Sequence, residues 1–485
     1  MKIVMIASEA VPFAKTGGLA DIVGTLPVAL AEAGEDVSII IPFYGKKIDK
    51  KKFGIKLLSN VTAQVEVGKE KIKGEVLYCE MPSGIKVYFI SQPTYFNRDE
   101  LYQTTAGDYP DNAARFIFFA RAAIELINAL GTPPDIVHVH DWQAALVPVY
   151  LKSIYKDKKL FANARVLLTI HNLGYQGLFP KEEFPLTGLN WEYFTFDKLE
   201  FWGKVNFLKG GIAFADAINT VSKKYADEIL TPEQGMGLDK ALLARKGVLC
   251  GILNGIDYKD WSPETDVLIP ANFTPKDMKG KEKCKAELRK HYKLPHDDTP
   301  VIGIVGRLTS QKGFDILSEA LPKLMKREFQ FAILGTGEAK YHDLLTRVRK
   351  QYPNHIGLEL AFDNKLAHLI EAGSDMFLMA SHYEPCGLNQ MISLKYGTIP
   401  IVRATGGLDD SIEDFDVGTE KGNGFKFEDY TSDALVAAVD RALDAYKKPA
   451  VWKRLVANAM ECNFSWTRSA KEYIALYRKM LGKKW

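Results

Sequence analysis

No run of about 18 consecutive apolar residues occurs in the chain, so no transmembrane helix is expected. A strong charge of either sign is missing too. Against 63 lysines and arginines stand 60 acidic residues, a net charge of +3 that gives no overall attraction to nucleic acid or to a membrane surface. Cysteine is sparse. The five cysteines, Cys79, Cys250, Cys284, Cys386 and Cys462, are irregularly spaced and form no C-x-x-C, which argues against a disulfide framework and fits reduced thiols. The first apolar run begins at Lys2 and leaves no room for a leader, so a cytoplasmic chain is expected, or one whose targeting peptide is already gone. What remains is ordinary globular composition, 47% hydrophobic and 25% charged, in 485 residues. That length exceeds one core and implies two or three domains.

Short apolar runs at 2–7, 37–41, 86–90, 136–140, 166–170, 217–221 and 248–253 alternate with helical patterns, notably 111–130 and 144–155. Several of the runs are continuously apolar and rich in Val and Ile, as buried parallel strands are. The alternation predicts a doubly wound α/β domain. Residues 61–80 read as an antiparallel hairpin turning near Gly68, expected to be an inserted flap. Residues 174–210 break the rhythm with Tyr175, Phe179, Phe184, Trp191, Tyr193, Phe194, Phe196, Phe201, Trp202 and Phe207. Such aromatics can stack on sugar rings or fill a small second core, and most are assigned to the core. Between 261 and 300 five prolines punctuate a lysine-rich stretch that reads as a domain junction. Strands at 301–305, 329–334, 356–360, 375–379 and 399–402 then predict a second doubly wound domain. From Ser465 the tail is helical, with Trp466, Ala470, Tyr473, Ile474, Tyr477, Met480 and Leu481 on one stripe. The expected domains are 1–262, carrying the insertion 174–210, then 263–464, and a terminal helix 465–485 crossing back to the first.

Lys15-Thr16-Gly17-Gly18-Leu19 joins the first strand to a helix. Two glycines there let backbone N–H groups approach an anion, and Lys15 adds a positive charge. The loop is neither G-x-x-x-x-G-K-[ST] nor G-x-G-x-x-G, and an ordinary glycine turn is the alternative. Thr405-Gly406-Gly407-Leu408 nearly repeats it in the second domain, which suggests one diphosphate held from both sides. In Gly306–Gly313, Thr309 or Ser310 is placed to cap a helix, with Arg307 and Lys312 converging on a diphosphate. Phe362 follows a strand and either stacks on a base or joins the core. Glu384 ends another strand, where ligands bind in such sheets, and the N–H groups of Cys386, Gly387 and Leu388 open the next helix. Cys386 has no histidine placed to activate it and reads as a small residue beside a ligand. His138 and His140 share a strand face but lack a third ligand, so no metal is expected. Asp141, His171 and Asn254 read as polar groups lining a cleft.

Together these residues resemble the bacterial glycogen synthase and plant starch synthase family. The match is Lys-Thr-Gly-Gly-Leu-Ala-Asp at 15–21, His-Asp-Trp at 140–142, His-Asn at 171–172, Leu-Asn-Gly-Ile-Asp at 253–257, Gly-Arg at 306–307, Gln-Lys-Gly at 311–313, Glu-Pro-Cys-Gly-Leu at 384–388, Lys-Tyr-Gly-Thr at 395–398 and Thr-Gly-Gly-Leu at 405–408. The resemblance implies a GT-B fold, two Rossmann-like domains with the site in the cleft between them. It implies retaining transfer of glucose from ADP-glucose to the non-reducing end of an α-1,4-glucan, such as glycogen, amylose or a malto-oligosaccharide, with ADP released. It implies no cofactor and no metal, a cytoplasmic location, or a plastid one if a transit peptide has been removed, and neither nucleic acid nor membrane as partner. By the same resemblance Lys15, Gly18, Arg307, Lys312, Thr405, Gly406 and Gly407 hold the diphosphate. Phe362 packs on adenine, where the family usually has Tyr. His171, Asn254, Glu384, Cys386 and Gly387 hold the donor glucose, and Asn172 and Leu388 belong to the substrate-binding set. Glu9, Asp21, Tyr95 and Asp141 lie at acceptor-side or catalytic positions.

Many retaining relatives with this fold carry a second glutamate eight positions after the first; here that position is Ile392, and the resemblance implies the same lack of a second acid in the synthase family. No carboxylate pair marks a covalent nucleophile, so front-face substitution through an oxocarbenium-like state is expected, with domain closure on donor binding. The alternatives are a related transferase using UDP-glucose or another sugar nucleotide, a pyridoxal-phosphate glucan phosphorylase, and a non-catalytic glucan-binding protein. The phosphorylase's longer chain and cofactor lysine context are absent, and intact Lys15, Arg307, Lys312 and Glu384 speak against the last.

Overall fold

The computed structural model describes residues 1–104 and 107–482, apart from the side chain of Asn60; positions 483–485 of the expected terminal helix lie outside the described residues. The chain forms two compact units. The first comprises Met1–Val221, Ala226–Gly255 and the segment from Trp466; the second comprises Ser222–Tyr225 and Ile256–Ser465.

The first unit is built on a nine-stranded sheet. Its strands are β1 (Lys2–Ile6), β2 (Asp36–Pro42), β3 (Lys56–Val67), β4 (Glu70–Glu80), β5 (Lys86–Ser91), β6 (Ile136–His140), β7 (Arg165–Ile170), β8 (Ala217–Thr220) and β9 (Leu249–Gly251). They lie in the order β9-β8-β7-β6-β1-β2-β5-β4-β3. From β9 to β5 every neighbour pair is parallel. The expected flap is not a flap. Its hairpin, β3 and β4, pairs antiparallel onto β5 and extends the main sheet. The side chains facing the core explain this, because Ala63, Val65, Val67, Val76 and Leu77 are buried. The chain leaves β1 toward β2 on one side and returns as β6 on the other. That reversal of strand order is where open α/β sheets bind ligands.

Helix α1 (Gly18–Glu32) follows β1, and α2 (Asn112–Leu130) precedes β6. The terminal helix has the expected stripe. Trp466, Ala470, Tyr473, Ile474 and Tyr477 bury in one core with Ile22, Leu26 and Leu30 of α1 and with Ile3 and Ile136 of the sheet. In the insertion, Leu178–Pro180, Glu200–Phe201 and Lys204–Asn206 form a separate three-stranded sheet. Phe184, Leu189, Leu199, Val205 and Phe207 are buried there, while Tyr175, Trp191, Phe196 and Trp202 are exposed, so the small core takes fewer of the aromatics than expected.

The second unit holds a six-stranded parallel sheet: β10 (Val301–Val305), β11 (Gln330–Leu334), β12 (Ile356–Glu359), β13 (Met376–Met379), β14 (Ile399–Arg403) and β15 (Phe425–Phe427). Its order is β12-β11-β10-β13-β14-β15, with the reversal between β10 and β13. The lysine-rich stretch expected as a junction lies inside this unit and contains helix α3 (Lys279–Tyr292). Its apolar stripe, Cys284, Leu288 and Tyr292, repeats every fourth residue and is buried. Of the lysines that made the stretch look like a linker, Lys279, Lys283 and Lys290 are exposed, while Lys281 donates to the Ala372 and Tyr396 carbonyls and Lys285 pairs with Asp375. Tyr292 anchors it by donating its hydroxyl hydrogen bond to the Ile333 carbonyl, 3.0 Å away.

Candidate functional site

In the first unit the loop after β1 is organised by Glu9, which is 3% exposed. Its carboxylate accepts from the Thr16 N–H at 2.5 Å, the Thr16 hydroxyl at 2.6 Å, the Gly17 N–H at 3.3 Å and the Tyr102 hydroxyl at 2.6 Å. Glu9 is therefore bound into the loop and shapes it. Gly17 caps α1 and Gly18 opens it, and a Cβ placed on either meets nothing within 4 Å. Lys15 is half exposed and pairs with Asp21 at 2.7 Å. The loop thus offers open backbone and a cation whose partner is one turn into the helix.

The strand ends across the order reversal carry the histidines. His138 and His140 occupy alternate positions of β6, all of whose residues are buried. His140 Nδ1 lies 2.9 Å from His171 Nε2, and the two rings stack. Asp141 follows in the left-handed region at φ 54° and accepts a hydrogen bond from the His171 N–H at 2.7 Å. A branched or bulky residue would be strained there; Asp tolerates the region better than most. Burial pushes the Asp141 carboxyl up to about 7, against the opposing pull of the His171 and Asn172 backbone donors. Burial also holds His171 down at about 3, so its ring is neutral near pH 7. Asn172 accepts from the Gly174 N–H at 2.9 Å. His140 Nε2, His171 Nδ1 and Asn254 Oδ1 are three of nine buried side-chain polar atoms that find no hydrogen-bond partner among the described residues. A buried polar atom left unpaired is costly, and its usual explanation is a ligand or a water. Tyr95 is half-buried against Phe118, with its carbonyl accepting from Arg115 at 2.7 Å.

In the second unit a cavity of about 210 Å³ opens at the carboxyl ends of β10 and β13, the point of order reversal. Lys312, Ser381, Glu384, Gly387, Leu388 and Asn389 supply its polar and backbone lining. Glu384 accepts from Lys312 Nζ at 2.6 Å and from the Ser381 hydroxyl at 2.9 Å. The cation is a quarter exposed and the carboxylate nearly buried, so the pair is screened by water on one side only. Arg307 is exposed and donates to Gln311 at 3.3 Å. Thr309 takes the N-cap position of the single tight turn Ser310–Lys312 but makes no side-chain capping bond, and it is Gly313, at φ 80°, that precedes the helix Phe314–Leu324. Cys386 is buried and Leu388 precedes the helix Asn389–Lys395. Phe362 stands 89% exposed, which removes the core reading.

The two Gly-Gly words do different work. A Cβ on Gly406 would lie 2.0 Å from the Glu384 carbonyl oxygen, and one on Gly407 2.0 Å from that of Cys386. Gly407 N–H donates to the Glu384 carbonyl at 3.1 Å. The second word is glycine so that two loops can touch. The buried Thr405 precedes it.

The residues that sequence reasoning missed are partners. Tyr102 reaches Glu9 across 93 positions, and Ser381 and Gln311 steady Glu384 and Arg307. Nothing local to Tyr102 marks it. Among the described residues no group of three or more His, Cys, Asp or Glu is arranged to hold a metal, and no helix is long and apolar enough to cross a membrane.

Residues 2–244 match the starch synthase catalytic domain family and residues 286–458 match glycosyl transferases group 1. A glycogen synthase of Koribacter versatilis is 49% identical, the match covering 99% of this chain and 98% of that protein. One of Geotalea daltonii is 46% identical over the whole of both chains. Among solved structures, the catalytic domain of starch synthase IV from Arabidopsis thaliana, bound to ADP and acarbose, superposes with a TM-score of 0.90 at 36% identity over 99% of each chain. A sucrose-phosphate synthase from Thermosynechococcus elongatus, 18% identical with a TM-score of 0.60, covers 99% of this chain and all of its own, and shares the fold.

Proposed function

The chain belongs to the glycogen and starch synthase family of retaining glycosyltransferases with the GT-B fold, and on that premise we propose the division of labour by which it transfers glucose from ADP-glucose to the non-reducing end of an α-1,4-glucan. The observation that carries it is the Lys312–Glu384 pair on the cavity at the reversal of the second sheet. In this reading Lys312 and Arg307 neutralise charge growing on the departing ADP, and Lys15 supplies a further cation. Preorganised cations of this kind act on charge that develops only in the transition state. Gly18, Thr405, Gly406 and Gly407 frame the diphosphate through backbone. The exposed ring of Phe362 packs on adenine.

Glu384, Asn254, Asn172, Cys386, Gly387 and Leu388 hold the donor glucose, and Glu9, Asp21, Tyr95 and Asp141 serve the acceptor side. The bond from glucose C1 to the diphosphate oxygen breaks as the acceptor 4-hydroxyl attacks C1 from the same face. The hydroxyl proton passes to the departing phosphate oxygen. The backbone carbonyl of His171 faces the positive charge that develops on the sugar. The cations carry the neutralisation without a metal.

The test incubates the protein with glycogen and, in turn, labelled ADP-glucose, UDP-glucose and glucose 1-phosphate, with a chelator present throughout. Incorporation from ADP-glucose, undiminished by the chelator, is expected. Preference for UDP-glucose, dependence on glucose 1-phosphate, or loss of transfer on chelation would each overturn the corresponding part of the reading.

A further inference from the structure

We propose that His140 is a positioning residue that holds the His171 imidazole in its Nδ1–H form, so that His171 presents an N–H donor to the sugar of the nucleotide donor. The inference rests on the proposed placement of His171 beside that sugar, and it deepens it.

Three histidine rings form a chain in the first unit. His138 is saturated: its Nε2 lies 2.7 Å from the Thr169 hydroxyl and its Nδ1 2.9 Å from the Tyr477 hydroxyl on the terminal helix. It meets His140 only ring to ring, at 4.1 Å between centroids. His140 and His171 share one hydrogen bond, between Nδ1 of the first and Nε2 of the second, at 2.9 Å. Each keeps one buried nitrogen without a partner among the described residues, Nε2 on His140 and Nδ1 on His171. Burial keeps all three rings neutral near pH 7, so each carries one N–H.

Two proton arrangements satisfy the shared bond. In one, His140 Nδ1–H donates to His171 Nε2. The His171 proton is then on Nδ1, and the unpaired atom on His140 is a bare lone pair. In the other, His171 Nε2–H donates to His140 Nδ1. His171 Nδ1 is then bare, and His140 buries an unpaired N–H. Orphaned buried N–H groups are rarer in proteins than under-satisfied acceptors. Once a sugar oxygen covers His171 Nδ1, only the first arrangement leaves no buried N–H unpaired. His140 thereby selects the Nδ1–H form of its neighbour, the opposite of the Nε2–H form that histidine favours in water.

The experiment labels the nine histidines with ¹⁵N and reads their protonation sites by long-range ¹H–¹⁵N correlation on the intact enzyme with ADP-glucose and no glucan. A His171→Asn spectrum identifies the resonance. His140 and His171 are both expected as Nδ1–H; a His171 signal of the Nε2–H type overturns the proposal whether or not ADP-glucose proves to be the substrate. The kinetic arm compares His140→Leu with His140→Asn, whose amide can place a donor where Nδ1 was. The Leu variant is expected to lose roughly ten-fold in kcat/KM for ADP-glucose, the scale of one hydrogen bond, with KM for glycogen unchanged. The Asn variant should recover most of it. Equal losses in two variants that melt like the wild type would mean that His140 only fills space.

Discussion

Two glycine substitutions separate a turn that borders open space from one packed against backbone. Gly18→Ala adds a methyl where nothing lies within 4 Å. At the first position of α1 the change also removes backbone freedom from the unfolded chain, a gain of about 0.5–1 kcal/mol. Gly407→Ala adds the same methyl 2.0 Å from the Cys386 carbonyl oxygen and 2.5 Å from its Cα. Since an ordinary contact is about 3.5–4 Å, one loop must move by more than an ångström. Both neighbours are backbone and cannot swing aside, so the cost belongs at the top of the overpacking range, about 3 kcal/mol. At about 2–4 °C per kcal/mol for a unit of this size, Gly407→Ala should melt roughly 6–12 °C lower, while Gly18→Ala melts at or slightly above the wild-type temperature. Activity should reverse the order in kind. Gly407→Ala loses stability and turnover together, because the loop that must move carries Glu384 and Cys386. Gly18→Ala keeps its fold and loses about ten-fold or more in kcat/KM for ADP-glucose, because the methyl occupies the path of the diphosphate to the α1 amides. Differential scanning fluorimetry and initial rates of ADP release measure both. The reasoning fails if the two variants destabilise alike, or if Gly18→Ala uses ADP-glucose as well as the wild type.

Lys312→Ala should lower kcat by about 10²–10³, the cost of removing one preorganised charge; turnover within a few-fold of wild type would remove Lys312 from the mechanism. Its stability loss should be partly recovered in Lys312→Ala/Glu384→Gln, since the single variant strands a nearly buried carboxylate. Phe362→Ala, at a side chain 89% exposed, should leave the melting temperature unchanged and raise KM for ADP-glucose several-fold. Asp141 makes a signed prediction in pH. Its folded carboxyl titrates at about 7 and its unfolded one at 3.8, so the folded state binds the extra proton between those values, and this residue's contribution to stability falls as pH rises through that window. Asp141→Asn keeps the oxygen that accepts from the His171 N–H and should flatten that part of the stability–pH curve; an unchanged slope would refute the assignment.

The fold was largely readable because parallel strands buried on both faces leave continuous Val- and Ile-rich runs, and those runs fell on the observed strands within a residue or two. The misreadings share one cause. The hairpin of β3 and β4 alternates polar and apolar residues, as a strand solvated on one face does, and such alternation states which face is buried without stating against what. In α3 the density of lysine hid a stripe of three buried residues at helical spacing. Composition averages over a helix's faces, whereas folding depends on one of them. The short strand Phe425–Phe427 was too brief to leave a period.

The site divides along the same line. Residues placed at a strand's carboxyl end, such as Glu384, Asp141 and His171, are visible in sequence as candidates because strand, turn and helix are consecutive. Residues whose role is to hold those groups are not. Tyr477 is 339 positions from His138, and Tyr102 is 93 from Glu9. Each carries one hydroxyl and sits in a stripe or loop that accounts for it without any hydrogen bond. The repeated Thr-Gly-Gly-Leu shows the limit from the other direction. Identical letters after identical elements invited one explanation, a diphosphate between twins. A Cβ at Gly17 or Gly18 would border open space, whereas one at Gly406 or Gly407 would meet a carbonyl, so the second pair has a packing reason to be glycine besides the proposed diphosphate. A glycine in sequence says only that a Cβ is unwelcome. Whether the space belongs to a ligand or to the protein's own backbone is decided by chain that lies elsewhere, here the loop that carries Glu384 and Cys386.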